Sequence, residues 1–253
     1  MNLRSIFRRP ALAFQFLTIL RIRVRGEVTP AELRGSTYFY PLVGLFLGGT
    51  MALTCESLSR LLPWQLLAAM VLVGLAALTG GLHLDGLADT CDGFYAGRNR
   101  EHVLRIMRDP RIGSMGVIGL MCVLGVKYVA LLSVPSSRVF WAIVAAPIVS
   151  RSAMVVACAL SPYAREHGAG KAYIGQLGRG QPFVAIVMAA LGCALLGWPH
   201  AVIAFGVVSV WLGWSVRYCR RRIGGLTGDT LGALNETTEA LVWLTACVNL
   251  VRG

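Results

Sequence analysis

Gly81-Leu82-His83-Leu84-Asp85-Gly86-Leu87-Ala88-Asp89-Thr90-Cys91-Asp92-Gly93 is the stretch that decides how this chain is read. Asp85, Asp89 and Asp92 fall at i, i+4 and i+7. At about 100° per residue, a helix would set them within about 60° of one another on one face. Like charges crowded in this way repel unless a cation lies between them. A hard divalent ion with oxygen ligands, Mg²⁺ foremost, meets that need. The stretch directly follows an apolar run, Pro63–Leu82, long enough to enter a membrane. Mg²⁺ held at a membrane surface points to a phosphate-bearing substrate. The plain alternative is a solvated acidic face neutralised by nearby arginines, but Leu84, Leu87, Ala88 and Phe94 make this an unusual polar loop.

The rest of the composition sets the compartment. Of the 253 residues, 56% are hydrophobic and 14% charged, against about a quarter charged in a soluble domain. The expected fold is all-α: a polytopic transmembrane helical bundle of about six to seven spans, forming one domain over residues 1–253. The spans read as Phe39–Leu58, Pro63–Leu82, Ile112–Val134, Val139–Leu160, Pro182–Trp198, Ala201–Val216 and Ala240–Val251, the last three near or below spanning length. Residues 1–36 form a cytoplasmic, interfacial segment. Its Arg4, Arg8 and Arg9 precede a ten-residue apolar run, Ala11–Leu20, that is too short to span and suits an amphipathic helix on the membrane surface. No cleavage signal follows it. Seven scattered cysteines without a CxxC pair give no sign of disulfides or zinc.

Charge orients the bundle. With the N-terminus in the cytoplasm and alternating spans, 19 Lys and Arg fall inside and 3 outside. The net charge of +12 therefore reads as positive-inside bias and attraction to anionic lipid, not as nucleic-acid binding. This topology puts segments 83–111 and 217–239 on the cytoplasmic side as active-site loops. Eight of the twelve acids lie in them: Asp85, Asp89, Asp92, Glu101, Asp109, Asp229, Glu236 and Glu239. Two acidic segments far apart in sequence would thus share one cavity.

Three further features carry chemistry. Arg105, Arg108 and Arg111 surround Asp109 and Pro110, where guanidinium forks suit phosphate oxygens and Gly113, Ser114 and Gly116 open a helix whose N-terminus favours anions; plain positive-inside anchoring is the alternative. The stretch Gly224–Glu239 places Asp229 and Glu236 seven apart, and its glycines, Gly228 among them, suit a loop over a phosphate, with Thr227 to Thr230 as a simple helix cap otherwise. Lys127 and Arg151 lie within spans and need an anion or an aqueous cavity. Lys127 could face the acids or a substrate phosphate, or both cations could pair structurally. No Walker A, GxSxG or HExxH motif is present.

GGLHLDGLADTCDG, RIMRDPRIGSMGV and LTGDTLGALNETTE, with the earlier FQFLTILRI and STYFYPLVGLFLGG, occur in the order found in the cobalamin synthase (adenosylcobinamide-GDP ribazoletransferase) family, which the chain resembles from about residue 12 onward. Cys91 stands where a small residue such as Ala is expected. The resemblance implies a multi-pass bacterial inner-membrane enzyme that joins adenosylcobinamide-GDP to α-ribazole or its 5′-phosphate, releases GMP and requires Mg²⁺. It implies metal ligands at Asp85, Asp89, Asp92, Asp109, Asp229 and Glu236. On the chemistry, Asp89 or Asp92 would accept a proton, and Lys127, Arg105 and Arg108 would steady charge, with Arg111 and Gly228 beside the phosphates. Association with other late corrinoid-pathway enzymes is compatible with it. Two rivals fit less well. The CDP-alcohol phosphotransferase motif fails because Asp89-Thr90 stands where Ala-Arg belongs. A cation transporter would hold its acids near the midplane and between repeats.

Overall fold

The computed structural model describes residues 3–248 apart from 23 and 25, with side chains from residue 8 onward. Arg23, Arg25 and Arg252 of the charge tally, the side chain of Arg4, and the end of the span expected to reach Val251 lie outside the described residues. Among the described residues the chain is all-α, as the apolar runs predict.

The first helix, α1 (Leu3–Leu17), buries Leu12, Ala13 and Leu17 and leaves Phe16 half-exposed. A Thr29–Glu32 capping box starts α2 (Pro30–Ser36). A 3-10 turn then leads into α3 (Tyr40–Leu58), so that Pro30–Leu58 runs as one rod of 29 residues. Helix α3 packs most broadly on α8 (Ser136–Leu160). Gly44 and Gly48 make this possible. A Cβ on Gly44 would strike the carbonyl of Pro147, and one on Gly48 would lie 2.8 Å from the carbonyls of Ile143 and Val144. Small residues four apart let two backbones meet in this way. Helix α8 is the buried centre of the bundle.

Helix α4 (Trp64–Thr79) meets α5 (Leu82–Ala96) at a bend of 92°. Gly80 and Gly81, at φ of 62° and 72°, make the turn, a conformation that L side chains rarely adopt. We take α4 as the apolar span and α5 as lying outside it. There follow α6 (Arg100–Ile106), α7 (Ser114–Ser133), α9 (Gly180–Ala194), α10 (His200–Ile223) and α11 (Gly228–Cys247).

Four helices are long and apolar enough to cross a membrane, or five if the bent pair α4–α5 counts as one span. The chain is a multi-pass membrane protein. The difference from six to seven spans lies in particular helices. At 15 residues α9 is apolar but short, and α11 carries three acids, Asp229, Glu236 and Glu239. Segments 83–111 and 217–239 are not loops, as expected, but mostly helix. Leu87 and Ala88 give α5 a buried side between its acids. Helix α10 continues past Val216 until Gly224 closes it at φ 83°, and a Thr227–Thr230 capping box opens α11.

Hydrogen bonds define two ends of the bundle. At one, Ala164 N–H donates to Leu226 at 2.8 Å, and Arg100 donates to the carbonyls of Ile223 and Ala164, both at 2.8 Å. At the other, the Trp64 indole donates to Leu131 at 3.2 Å and Arg138 to Ala246 at 2.6 Å. Gly44→Ala should destabilise the protein by about 1–3 kcal/mol through overpacking. Gly49→Ala, with nothing within 4 Å of the added carbon, should leave the thermal melt in detergent almost unchanged. Equal melts for the two variants would contradict the packing described.

Candidate active site

The site is built where α5 meets α11. Gly86 lies so close to α11 that a Cβ there would sit 2.8 Å from the carbonyl oxygen of Asp229. Gly232 answers from the other helix, where a Cβ would come 3.0 Å from the carbonyl of His83. This contact brings Asp229 to Asp85 and Asp89. Asp89 is pushed up to about 7, first by burial and then by the Asp85 and Asp229 carboxylates, with the Arg165 guanidinium acting the other way. The two distant acidic segments therefore converge at one end of the bundle. A groove of ≈ 580 Å³ opens beside Asp85, walled by Phe16, Leu84, Ala88, Ile112 and Leu120 and floored by Gly80 and Gly81.

The other expected site residues are engaged elsewhere. Asp92 accepts hydrogen bonds from the backbone N–H groups of Gly113 at 2.7 Å and Gly116 at 2.8 Å. The anion at the start of α7 is thus an internal carboxylate, seated where glycines leave room for it. Asp109 is forked by Arg111, whose Nε and Nη2 donate at 2.9 and 2.8 Å. These hydrogen bonds hold the Asp109 carboxyl down to about 2. Arg105 and Arg108 are exposed and form no ion pair among the described residues. Gly228 opens α11 beside open space.

Lys127 and Glu236 face each other inside the bundle rather than the acid cluster. Lys127 on α7 pairs with Glu236 and, at 2.7 Å, with Glu239. Arg151 on α8 pairs with Glu239 and donates to Ser150 at 3.0 Å. Asn235 donates to Glu236 at 3.2 Å, and Lys127 lies 5.6 Å from the ring centre of Trp243. All four charged side chains are at least nine-tenths buried. They cancel in charge and lock α7, α8 and α11 together. The sequence places Lys127 and Arg151 within spans but Glu236 and Glu239 in the cytoplasmic segment 217–239, so the meeting of these anions and cations is not legible in it.

Sequence reasoning missed Arg165, read there only as one cytoplasmic positive charge. Its Nη2 donates to Asp229 at 2.5 Å and to the carbonyl of Met107 at 3.4 Å. Nothing in its spacing from the acids signals this, because the segment after α8 reaches them only through tertiary folding. Among the described residues, no three His, Cys, Asp or Glu side chains stand ready as a metal cage.

The chain matches the cobalamin-5-phosphate synthase family over residues 9–247. It belongs to that family. It is 41% identical over 236 residues to the adenosylcobinamide-GDP ribazoletransferase of Pseudomonas syringae pv. syringae (strain B728a), covering 92% of this chain and 96% of that relative. It is 38% identical over 244 residues to the enzyme of that name from Chlorobaculum parvum (strain DSM 263 / NCIMB 8327), covering 93% of each. It is 36% identical over 242 residues to that of Clostridium botulinum (strain Okra / Type B1), covering 94% and 96%. No solved structure matches. The family match spans both acidic segments, the Arg165 segment and the ion-pair network.

Within this family member the network carries a clear mechanical expectation. Glu239→Ala strands Lys127 and Arg151 without one shared anion. It should cost about 3–5 kcal/mol, the usual penalty for breaking a buried pair, read as a fall in the denaturation midpoint in detergent. A midpoint within error of the parent would show that the network contributes little.

Proposed function

We propose that this protein is an adenosylcobinamide-GDP ribazoletransferase, the activity for which its relatives are named. It would transfer the adenosylcobinamide-phosphate group to a ribose hydroxyl of α-ribazole, or of its 5′-phosphate, and release GMP. The observation that supports this most is the meeting of Asp85 and Asp89 on α5 with Asp229 on α11, beside the Arg165 guanidinium. A diphosphate ester needs cationic partners, and three carboxylates alone would repel it.

Mg²⁺ fits this donor set. Its oxygens are hard ligands; burial first, and then the Asp85 and Asp229 carboxylates, raise Asp89, and a divalent ion would relieve the repulsion among them. Asp85, Asp89 and Asp229, which do not stand as a ready-made cage among the described residues, would hold it. Asp92, Asp109 and Glu236 already have protein partners; Asp229 has one too, Arg165, but it stands against Asp85 and Asp89. When bound, the ion would neutralise phosphate charge and ease departure of the nucleotide. The chain's own residues do the rest. Asp89 would take the proton of the attacking ribose hydroxyl on a carboxylate oxygen. That hydroxyl oxygen bonds to the phosphorus bearing the cobinamide arm, the bond from this phosphorus to the bridging oxygen breaks, and GMP leaves with the electron pair. The apolar-walled groove beside Asp85 gives a large substrate an approach to the acids.

We further place the protein in the bacterial inner membrane, with this end in the cytoplasm. Arg98, Arg100, Arg105, Arg108, Arg165, Lys171, Arg220, Arg221 and Arg222 flank the acid end, whereas Arg60 and Arg138 flank the other. This asymmetry is the positive-inside pattern.

The test is turnover in membranes, following GMP and corrinoid product with and without chelator. Asp85→Asn and Asp89→Asn should each cut turnover by at least about 100-fold, since even the outer partners of metal ligands are worth about 10–100-fold. Chelator should abolish turnover and added Mg²⁺ restore it. Full turnover by Asp89→Asn with unchanged Mg²⁺ dependence would remove Asp89 from the site.

A further inference from the structure

The segment that follows α8 forms a third wall of the site. Its backbone is fixed from two sides. Ala164 N–H donates to Leu226 at 2.8 Å and Leu226 N–H to Pro162 at 2.9 Å, a parallel bridge between Tyr163 and Leu226. Gly225 is pressed against the Pro162 carbonyl with no room for a side chain. Arg100 clasps both sides of this bridge through the carbonyls of Ala164 and Ile223. The next residue, Arg165, is therefore held at the entrance to α11.

Its side chain is 12% exposed. A guanidinium carries five N–H donors in a rigid fork. Among the described residues, its hydrogen bonds are made through Nη2 alone, to Asp229 and Met107, and its Nε is buried without an acceptor. Arg165 is also the cation whose charge reaches Asp89 between the other carboxylates. The arginines expected to meet phosphate are placed differently, with Arg105 and Arg108 exposed and Arg111 spent on Asp109.

We propose that Arg165 is a substrate-contacting residue that binds the phosphate leaving with the nucleotide, so that the site takes a nucleoside 5′-monophosphate as product. This rests on the phosphoryl-transfer reading above. A largely buried fork with spare donors, anchored by backbone and set beside the acid cluster, suits bidentate binding of two phosphate oxygens. A simple counter-ion to Asp229 would need only the positive charge. A phosphate fork needs the guanidinium, and this difference makes the role testable.

The experiment uses the full chain in lipid nanodiscs with Mg²⁺ and measures GMP binding by titration calorimetry, thermal melting, and KM and kcat for the GDP-activated corrinoid. Arg165→Met should weaken GMP binding by at least about tenfold, the scale of a charge-assisted hydrogen bond. Arg165→Lys should melt as the parent does, yet bind GMP several-fold more weakly and show a raised KM. Unchanged GMP affinity in Arg165→Met would overturn the assignment. If that variant does not fold, parental GMP affinity in Arg165→Lys overturns it instead. A parent that releases no GMP from the corrinoid nucleotide would sink the functional reading itself, and this assignment with it. A parent that turns over while Arg165→Met binds GMP normally sinks only the assignment.

Discussion

Two cations and two carboxylates share the dry interior where α7, α8 and α11 meet, and the rest of the acid end depends on their pairing. Taking any one of them out of water is costly, and the cost is offset only while every partner is in place. The three helices therefore have one register in which Lys127, Arg151, Glu236 and Glu239 are all satisfied. That register also sets the rotation of α11. Asp229, Gly232, Glu236 and Glu239 follow at i, i+3, i+7 and i+10, along one stripe of the helix. Pinning the two glutamates thus turns Gly232 against α5 and Asp229 toward its acids. Asp229 lies about 10 Å along the axis from Glu236, so the neutralised interior and the charged end are separate zones of one surface.

The second constraint is steric. Helices α5 and α11 approach backbone to backbone because Gly86 and Gly232 carry no side chains at the crossing. The same device operates between α3 and α8, where Gly44 and Gly48 admit α8 to the centre. Close crossings of this kind replace the hydrophobic drive that helices lack within lipid. They also bring carboxylates of two helices together, and burial, then this company, raises Asp89.

Much of this was legible in the sequence because it is periodic. The i, i+4, i+7 spacing of Asp85, Asp89 and Asp92 gave a helical face, and α5 is that helix. The apolar runs gave the bundle. Charge asymmetry gave the shared end of the two acidic segments, which the packing of Gly86 on Asp229 now supports. Periodicity fails where a residue's role is set by a partner far along the chain. Lys127 could be read toward a phosphate or toward an anion, and only the fold shows Glu236 and Glu239 opposite it. Arg165 lies 64 residues before Asp229, in a segment without regular apolar spacing. The loops expected around the acids are helices because Leu87 and Ala88, and the Thr227 cap, supply what a helix needs.

The capping of α7 by Asp92 has a genetic consequence. Its carboxylate stands on the acidic face of α5 yet grips the first turn of another helix, the one that carries Lys127 into the interior. A variant that fails at this position would fail twice over, through the acidic surface and through the seating of a transmembrane segment. Loss of growth in an Asp92 mutant therefore carries little information about chemistry, whereas loss at Asp85, which has no such tether among the described residues, speaks to the reaction itself.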